Sequence, residues 1–315
     1  MRATAAPLFD EVRFTARDGL RLYARVYRAQ GEAAPGRPAL CLAGLTRNSR
    51  DFHVLASALA SDSTRPRDVW TLDTRGRGHS DHDPDWRNYA VPIEMLDVLD
   101  LMVMQELTDV ALVGTSRGGL IAMVMAAAQP STIGAAVLVD IGPVLETEGL
   151  LRILGYVGKM PVPVSWADAG RVVGELNRKH FPNIGADEWI EIARQLFNEK
   201  GGKPVASYDP QVARSMSVLE GPMPELWPQF AALNRVPVMV VRGENSDLLS
   251  AATVAEMERR HPACISHVVP SQGHAPWLRD NDSIAAIAEF LRSSDASMPD
   301  HGANRAPAAE GPIVA

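Results

Sequence analysis

Two kinds of hydrophobic patterning alternate along most of the chain. Apolar runs of four to six residues recur in PALCLAGL, DVWTLDTRG, DVALVGTS, IGAAVLVDI, VPVMVVRG and CISHVVP. Runs this short, bounded by Gly, Pro or Asp, read as strands buried on both faces. Between them, NSRDFHVLASALAS, VPIEMLDVLDLMVMQEL, RGGLIAMVMAAA, AATVAEMERR and SIAAIAEFLRSS repeat their apolar residues at three and four, the spacing of one helix face. Strand and helix in strict alternation predict an α/β fold, a mostly parallel sheet with helices on both faces. The start differs: EVRFTARDGLRLYARVYR reads as two strands joined at Asp18-Gly19, a pair that supplies the positive φ of a tight turn, so the sheet opens with an antiparallel hairpin.

The rhythm breaks once. From Gly142 to about Asn234 no strand-like run occurs, only short helical patterns such as ADAGRVVGELNRKHF and ADEWIEIARQLFNEK punctuated by Pro and Gly. A strandless stretch between two strands of one sheet reads as an insertion, and the C-terminal edge of such a sheet is where ligands bind. The expected organisation is therefore a core of residues 1–142 and 235–293, a helical cap over 143–234, and a flexible tail over 294–315 that is rich in Ala, Pro and Gly. Trp166, Trp189 and Trp227, with Phe181 and Phe197, lie in the insertion; most are expected in its core and some facing the cleft.

Composition narrows the function classes. The chain has 315 residues, 46% hydrophobic and 22% charged, and is long enough to bury a sizeable core. No apolar stretch approaches the roughly 20 residues that span a bilayer, so no membrane role is expected. The opening MRATAAPLFDEV lacks the apolar core of a secretory signal, which points to the cytoplasm. A net charge of −7, with arginines scattered and no Lys/Arg block, disfavours nucleic acid as a partner. The two cysteines, Cys41 and Cys264, read as reduced thiols. Oligomeric state, including a homo-oligomer, is left open.

Candidate chemistry centres on LVGTSRGGL at 112–120, where Ser116 stands between an apolar strand and a helix with Gly114 and Gly118 two residues to either side. That strand–turn–helix setting is what a G-x-S-x-G nucleophile requires, because the serine sits on a turn too tight for bulky neighbours. A hydroxyl needs a base, usually His oriented by a carboxylate. The four lysines, Lys159, Lys179, Lys200 and Lys203, all fall in the insertion and offer no alternative. Of eight histidines, His274 follows the last strand in a Gly-His turn and so shares the catalytic edge with Ser116, whereas His267 lies within the strand and His261 in a surface-like RRHP. For the carboxylate, Asp247 in RGENSD follows a strand and is preferred, with Asp140 at the end of AAVLVD and Glu244 as rivals. HSDHDPD at 79–85 invites a metal, but its spacing does not converge ligands, and Asp73 and Arg75 are expected to anchor that loop instead.

With the elbow, DTRGRGHS at 73–80, RGENSD and GHAPW in place, the sequence resembles the α/β-hydrolase superfamily over nearly all of residues 11–293. The resemblance implies a serine hydrolase with helical cap and no cofactor or metal. It implies the triad Ser116, Asp247 and His274 and an oxyanion hole formed by the amides of Leu45 and Arg117, although Ala43-Gly44 stands where His-Gly is usual. The expected substrate is a small-molecule ester or lactone of a largely apolar acid. Two alternatives are carried: a C–C bond hydrolase acting on a vinylogous diketone through the same triad, and a small-molecule receptor with little turnover. Epoxide hydrolases and haloalkane dehalogenases resemble this fold but carry Asp at the nucleophile position, where this chain has Ser.

Overall fold

The computed structural model describes residues 8–217 and 225–296. Strands β1 (Asp10–Thr15) and β2 (Arg21–Tyr27) form the opening hairpin, pairing antiparallel with Thr15 opposite Arg21. Within the connecting turn only Gly19 takes the left-handed conformation, at φ +91°. The following strands are β3 (Ala39–Leu42), β4 (Val69–Asp73), β5 (Val110–Thr115) and β6 (Ile133–Val139). A short β7 (Phe197–Lys200) and β8 (Lys203–Ala206) come next, then β9 (Val238–Gly243) and β10 (Cys264–Val269). Eight of these make one sheet in the order β1-β2-β4-β3-β5-β6-β9-β10, parallel from β4 to β10. The six strand runs read from the sequence are these six parallel strands. Each residue of β3 to β6 is buried, as expected of a sheet covered on both sides.

Helices α1 (His53–Ala60), α2 (Val91–Met104) and α3 (Arg117–Ala128) connect the first parallel strands. The insertion between β6 and β9 contributes α4 (Thr147–Tyr156), α5 (Trp166–Asn177), α6 (Ala186–Leu196), α7 (Arg214–Ser217) and α8 (Trp227–Ala231). Helices α9 (Ala251–Arg260) and α10 (Asn281–Asp295) complete the core. Two apolar clusters flank the sheet, one under α2, α3 and α9 and the other under α1 and α10.

The insertion departs from its strandless expectation. Its FNEK continues a helical pattern in sequence, yet Gly201 and Gly202, at φ +59° and +75°, fold the chain back so that β7 pairs with β8 as an isolated hairpin. The insertion has its own small core of Ala169, Val173, Phe181, Trp189, Ile192 and Phe197, into which the sheet's loop residue Trp277 inserts, 6.0 Å from Phe181 between ring centroids. Polar contacts fix it further: Arg50 donates to the carbonyls of Gln195 and Phe197, and Tyr89 Oη donates to Asp209 at 2.6 Å. The C-terminal expectation also shifts. Residues 294–295 continue α10, and Asp295 is buried against Arg67 at 3.0 Å; residues 297–315 lie outside the described residues.

Candidate active site

Ser116 occupies the turn between β5 and α3 with φ 50° and ψ −112°, its amide donating to the Val139 carbonyl at 2.9 Å. The tightness of this turn explains the glycines around it. A Cβ on Gly118 would lie 2.0 Å from the Leu42 carbonyl oxygen, and one on Gly114 2.6 Å from the backbone of Gly118. Neither position has room for a side chain, so the elbow is dictated locally by sequence and packed directly on β3.

His274, in the loop after β10, places Nε2 2.9 Å from Ser116 Oγ. Its Nδ1 lies 2.8 Å from Oδ2 of Asp140, which directly follows β6. An ionised carboxylate only accepts, so Nδ1 carries the proton and Nε2 is left to accept from the serine hydroxyl. Asp140 is fully buried and held on every side: Gly243 N–H donates to Oδ1 at 2.8 Å and Ser246 Oγ donates to Oδ2 at 2.6 Å.

The carboxylate that meets the imidazole is thus Asp140, and the expected pairing of Asp247 with His274 is not formed. The loop after β9 explains why. It spends Gly243 and Ser246 on Asp140, and the next residue turns its side chain toward the insertion. There Asp247 receives two bonds from Arg152 of α4, at 2.5 and 2.9 Å, and lies 3.8 Å from His180 Nε2. Burial pushes the Asp247 carboxyl up, but the Arg152 bonds and charge, with His180, more than offset it and hold it below the usual carboxylate value. Glu244, the other rival, accepts from the Ser271 amide.

Leu45, in the loop after β3, and Arg117, the first residue of α3, both border the space at Ser116. An amide at the first position of a helix has no intrahelical partner and is free to meet a developing negative charge. The Arg117 side chain does not project at substrate. Its Nε donates to Glu94 at 2.7 Å and its Nη2 to the Tyr89 carbonyl at 2.7 Å. Glu94 is fully buried and also pairs with Arg77 at 2.8 Å, and Arg77 Nε in turn donates to the Leu45 carbonyl at 2.8 Å. One carboxylate therefore ties together the two segments that carry the Leu45 and Arg117 amides. Sequence reasoning missed Glu94, because an acid in the first turn of a helix ordinarily reads as a solvated partner of the helix dipole.

The remaining candidates fall elsewhere. In HSDHDPD, His82 is exposed, Asp81 pairs with Arg21, and Asp83 pairs with Arg75; among the described residues no three His, Cys, Asp or Glu form a metal-holding group. Asp73 and Arg75 do anchor this loop, though not to each other: Asp73 accepts from the amides of Ser49 and His79, and Arg75 binds Asp97, Asp83 and Asp18. His261 is buried rather than on the surface, its Nε2 3.0 Å from the Leu233 carbonyl. Phe181, Trp189 and Phe197 are core residues; Tyr156 and Trp277 are the aromatics beside the serine.

Comparison with known proteins places the fold in a family. The profile of the alpha/beta hydrolase family matches residues 39–287. A 3-hydroxybutyrate-oligomer hydrolase of Cupriavidus necator is 33% identical over 279 residues, 86% of this chain and 93% of that protein. An sn-1-specific diacylglycerol lipase of Xenopus tropicalis is 26% identical over 83% of this chain and 80% of its own. The crystal structure of an alpha/beta hydrolase from Novosphingobium aromaticivorans superposes with a TM-score of 0.84 at 37% identity, covering 91% of this chain and 99% of that one. No helix among the described residues is long and apolar enough to cross a membrane. By the profile match, the identity and the shared fold, the chain belongs to the alpha/beta hydrolase family.

Proposed function

We propose that the protein is a serine hydrolase that cleaves carboxylic esters through an acyl-enzyme on Ser116. The observation that carries this reading is the unbroken relay from Ser116 Oγ through His274 to Asp140, with contacts of 2.9 and 2.8 Å. Ser116 Oγ attacks the ester carbonyl carbon while His274 Nε2 takes its proton, and Asp140 fixes the imidazole and stabilises the imidazolium. The amides of Leu45 and Arg117 receive the oxyanion. On collapse the bond to the alcohol oxygen breaks and the imidazolium returns its proton to the leaving alkoxide. Water then repeats the sequence on the acyl-enzyme, releasing the acid and restoring the hydroxyl. Relatives named as a 3-hydroxybutyrate-oligomer hydrolase and a diacylglycerol lipase support an ester as the substrate.

The test is hydrolysis of a nitrophenyl ester by the wild-type protein and Ser116→Ala, with mass spectrometry after exposure to an organophosphonate. The expected result is a kcat loss on the order of 10⁶-fold and a single adduct on Ser116. Equal rates for both proteins would remove the reading and leave a binding protein of this fold.

A further inference from the structure

Two cavities diverge from Ser116, sharing only Leu45, Ser116 and Ile153 among their walls. The larger, about 250 Å³, runs between α3 and the insertion and is walled mainly by Leu120, Val124, Leu145, Leu150 and Leu248. The Arg117 guanidinium beside it is already taken by Glu94 and the Tyr89 carbonyl. The smaller, about 100 Å³, is walled largely by apolar side chains too, including Tyr156, Val157, Met160 and Leu176, and the polar groups at its edge are partly taken, Arg47 by Asp51 and the Ala275 carbonyl and Asn177 by the Val173 carbonyl; of the two cavities, His274 lines only this one.

Resting on the hydrolase reading above, we infer that the site takes open-chain esters of medium-length aliphatic acids, the acyl chain in the larger cavity and the alcohol in the smaller one. The assignment follows from where a proton has to go. The imidazolium must hand its proton to the departing alkoxide, so the alcohol lies on the side that His274 lines, and the acyl chain is directed to the other side of the serine. An apolar wall rewards each methylene placed against it, and a volume just under the usual 300–1,000 Å³ of ligand pockets suits a medium chain better than a long one. A lactone joins its acyl and alkoxy arms in one ring and cannot send them into two diverging spaces.

Isomeric esters read this directly. Methyl octanoate and heptyl acetate have the same atoms with the chain on opposite sides of the ester, and methyl octanoate is expected to show at least tenfold higher kcat/KM. From methyl butyrate to methyl octanoate kcat/KM should rise by up to about fourfold per methylene. Leu145→Phe, which fills the larger cavity, should lower the octanoate-to-butyrate ratio at least tenfold; a ratio does not depend on the fraction of protein folded. Equal rates for the two isomers, preference for heptyl acetate, or an unchanged ratio in the variant would overturn the assignment while leaving a working esterase. A δ-lactone cleaved faster than methyl octanoate, each relative to its own rate in alkali, would overturn the open-chain claim. Hydrolysis of none of them would overturn the hydrolase reading, and this inference with it.

Discussion

Two carboxylates compete for one role at this site, and their surroundings separate them. Asp140 is fully buried, bonded to the imidazole and filled by donors from the β9 loop, whereas Asp247 answers to a guanidinium on α4. Under the proposed relay, Asp140→Asn leaves His274 in the wrong tautomer and should lower kcat by about 10⁴-fold. Asp247→Asn should cost far less in kcat, and measuring both variants on one ester decides between them; the reverse order would return the relay to Asp247. Ser116 and His274 were legible because their evidence is local: flanking glycines for one, a turn after the last strand for the other. The carboxylate was not, since both candidates follow strands on the same edge. The choice is made by Ser246 and Gly243, whose bonds fix the direction in which the loop turns.

Among the elements that couple the insertion to the sheet's active edge, α4 meets the loop that carries Asp247. Arg152 grips Asp247, and the Gly149 amide donates to the Asp247 carbonyl at 3.0 Å. Because the folded Asp247 carboxyl is held below its ordinary value, near 4, this pair adds stability that is present above that pH and lost as pH falls through the folded value. Arg152→Met should therefore be clearly less stable than the wild type at pH 7, and the gap should narrow only as pH falls below about 4; urea denaturation at pH 7 and at a series of pH values below 4 measures it, and a constant gap would refute the linkage. Strands and long helices were legible from their periods. The β7–β8 hairpin was not, because Phe197 falls at a helical spacing from the apolar residues of α6, and the Gly201-Gly202 signal was outweighed by that pattern.

At the scale of the whole molecule, the order of strands in the sheet was not legible, since pairing is decided by contacts far apart in sequence. The same is true of the C-terminal end of α10. Its Asp295 closes on Arg67 and on the Arg37 amide, joining residues more than 220 positions apart into one buried ionic knot. Composition made residue 294 onward look like tail, because a single acid among Ser and Ala carries no local sign of a buried partner. Asp295→Ala strands a guanidinium that is 1% exposed and should destabilise the fold by about 3–5 kcal/mol, with kcat per folded molecule retained. A change below about 1 kcal/mol in chemical denaturation would mean the knot behaves as an ordinary surface pair.

The positive φ of Ser116 has a thermodynamic consequence. A side chain there is held in a conformation that L-residues avoid, at a cost on the order of 1–3 kcal/mol that the surrounding fold must absorb. Glycine adopts it freely, so Ser116→Gly should melt at higher temperature than Ser116→Ala, which lacks the hydroxyl but keeps the Cβ. The difference between these two variants reports the backbone strain less the extra freedom glycine gives the unfolded chain, about 0.4–1 kcal/mol, and under the proposed mechanism nucleophilicity and thermal endurance are opposed at one α-carbon.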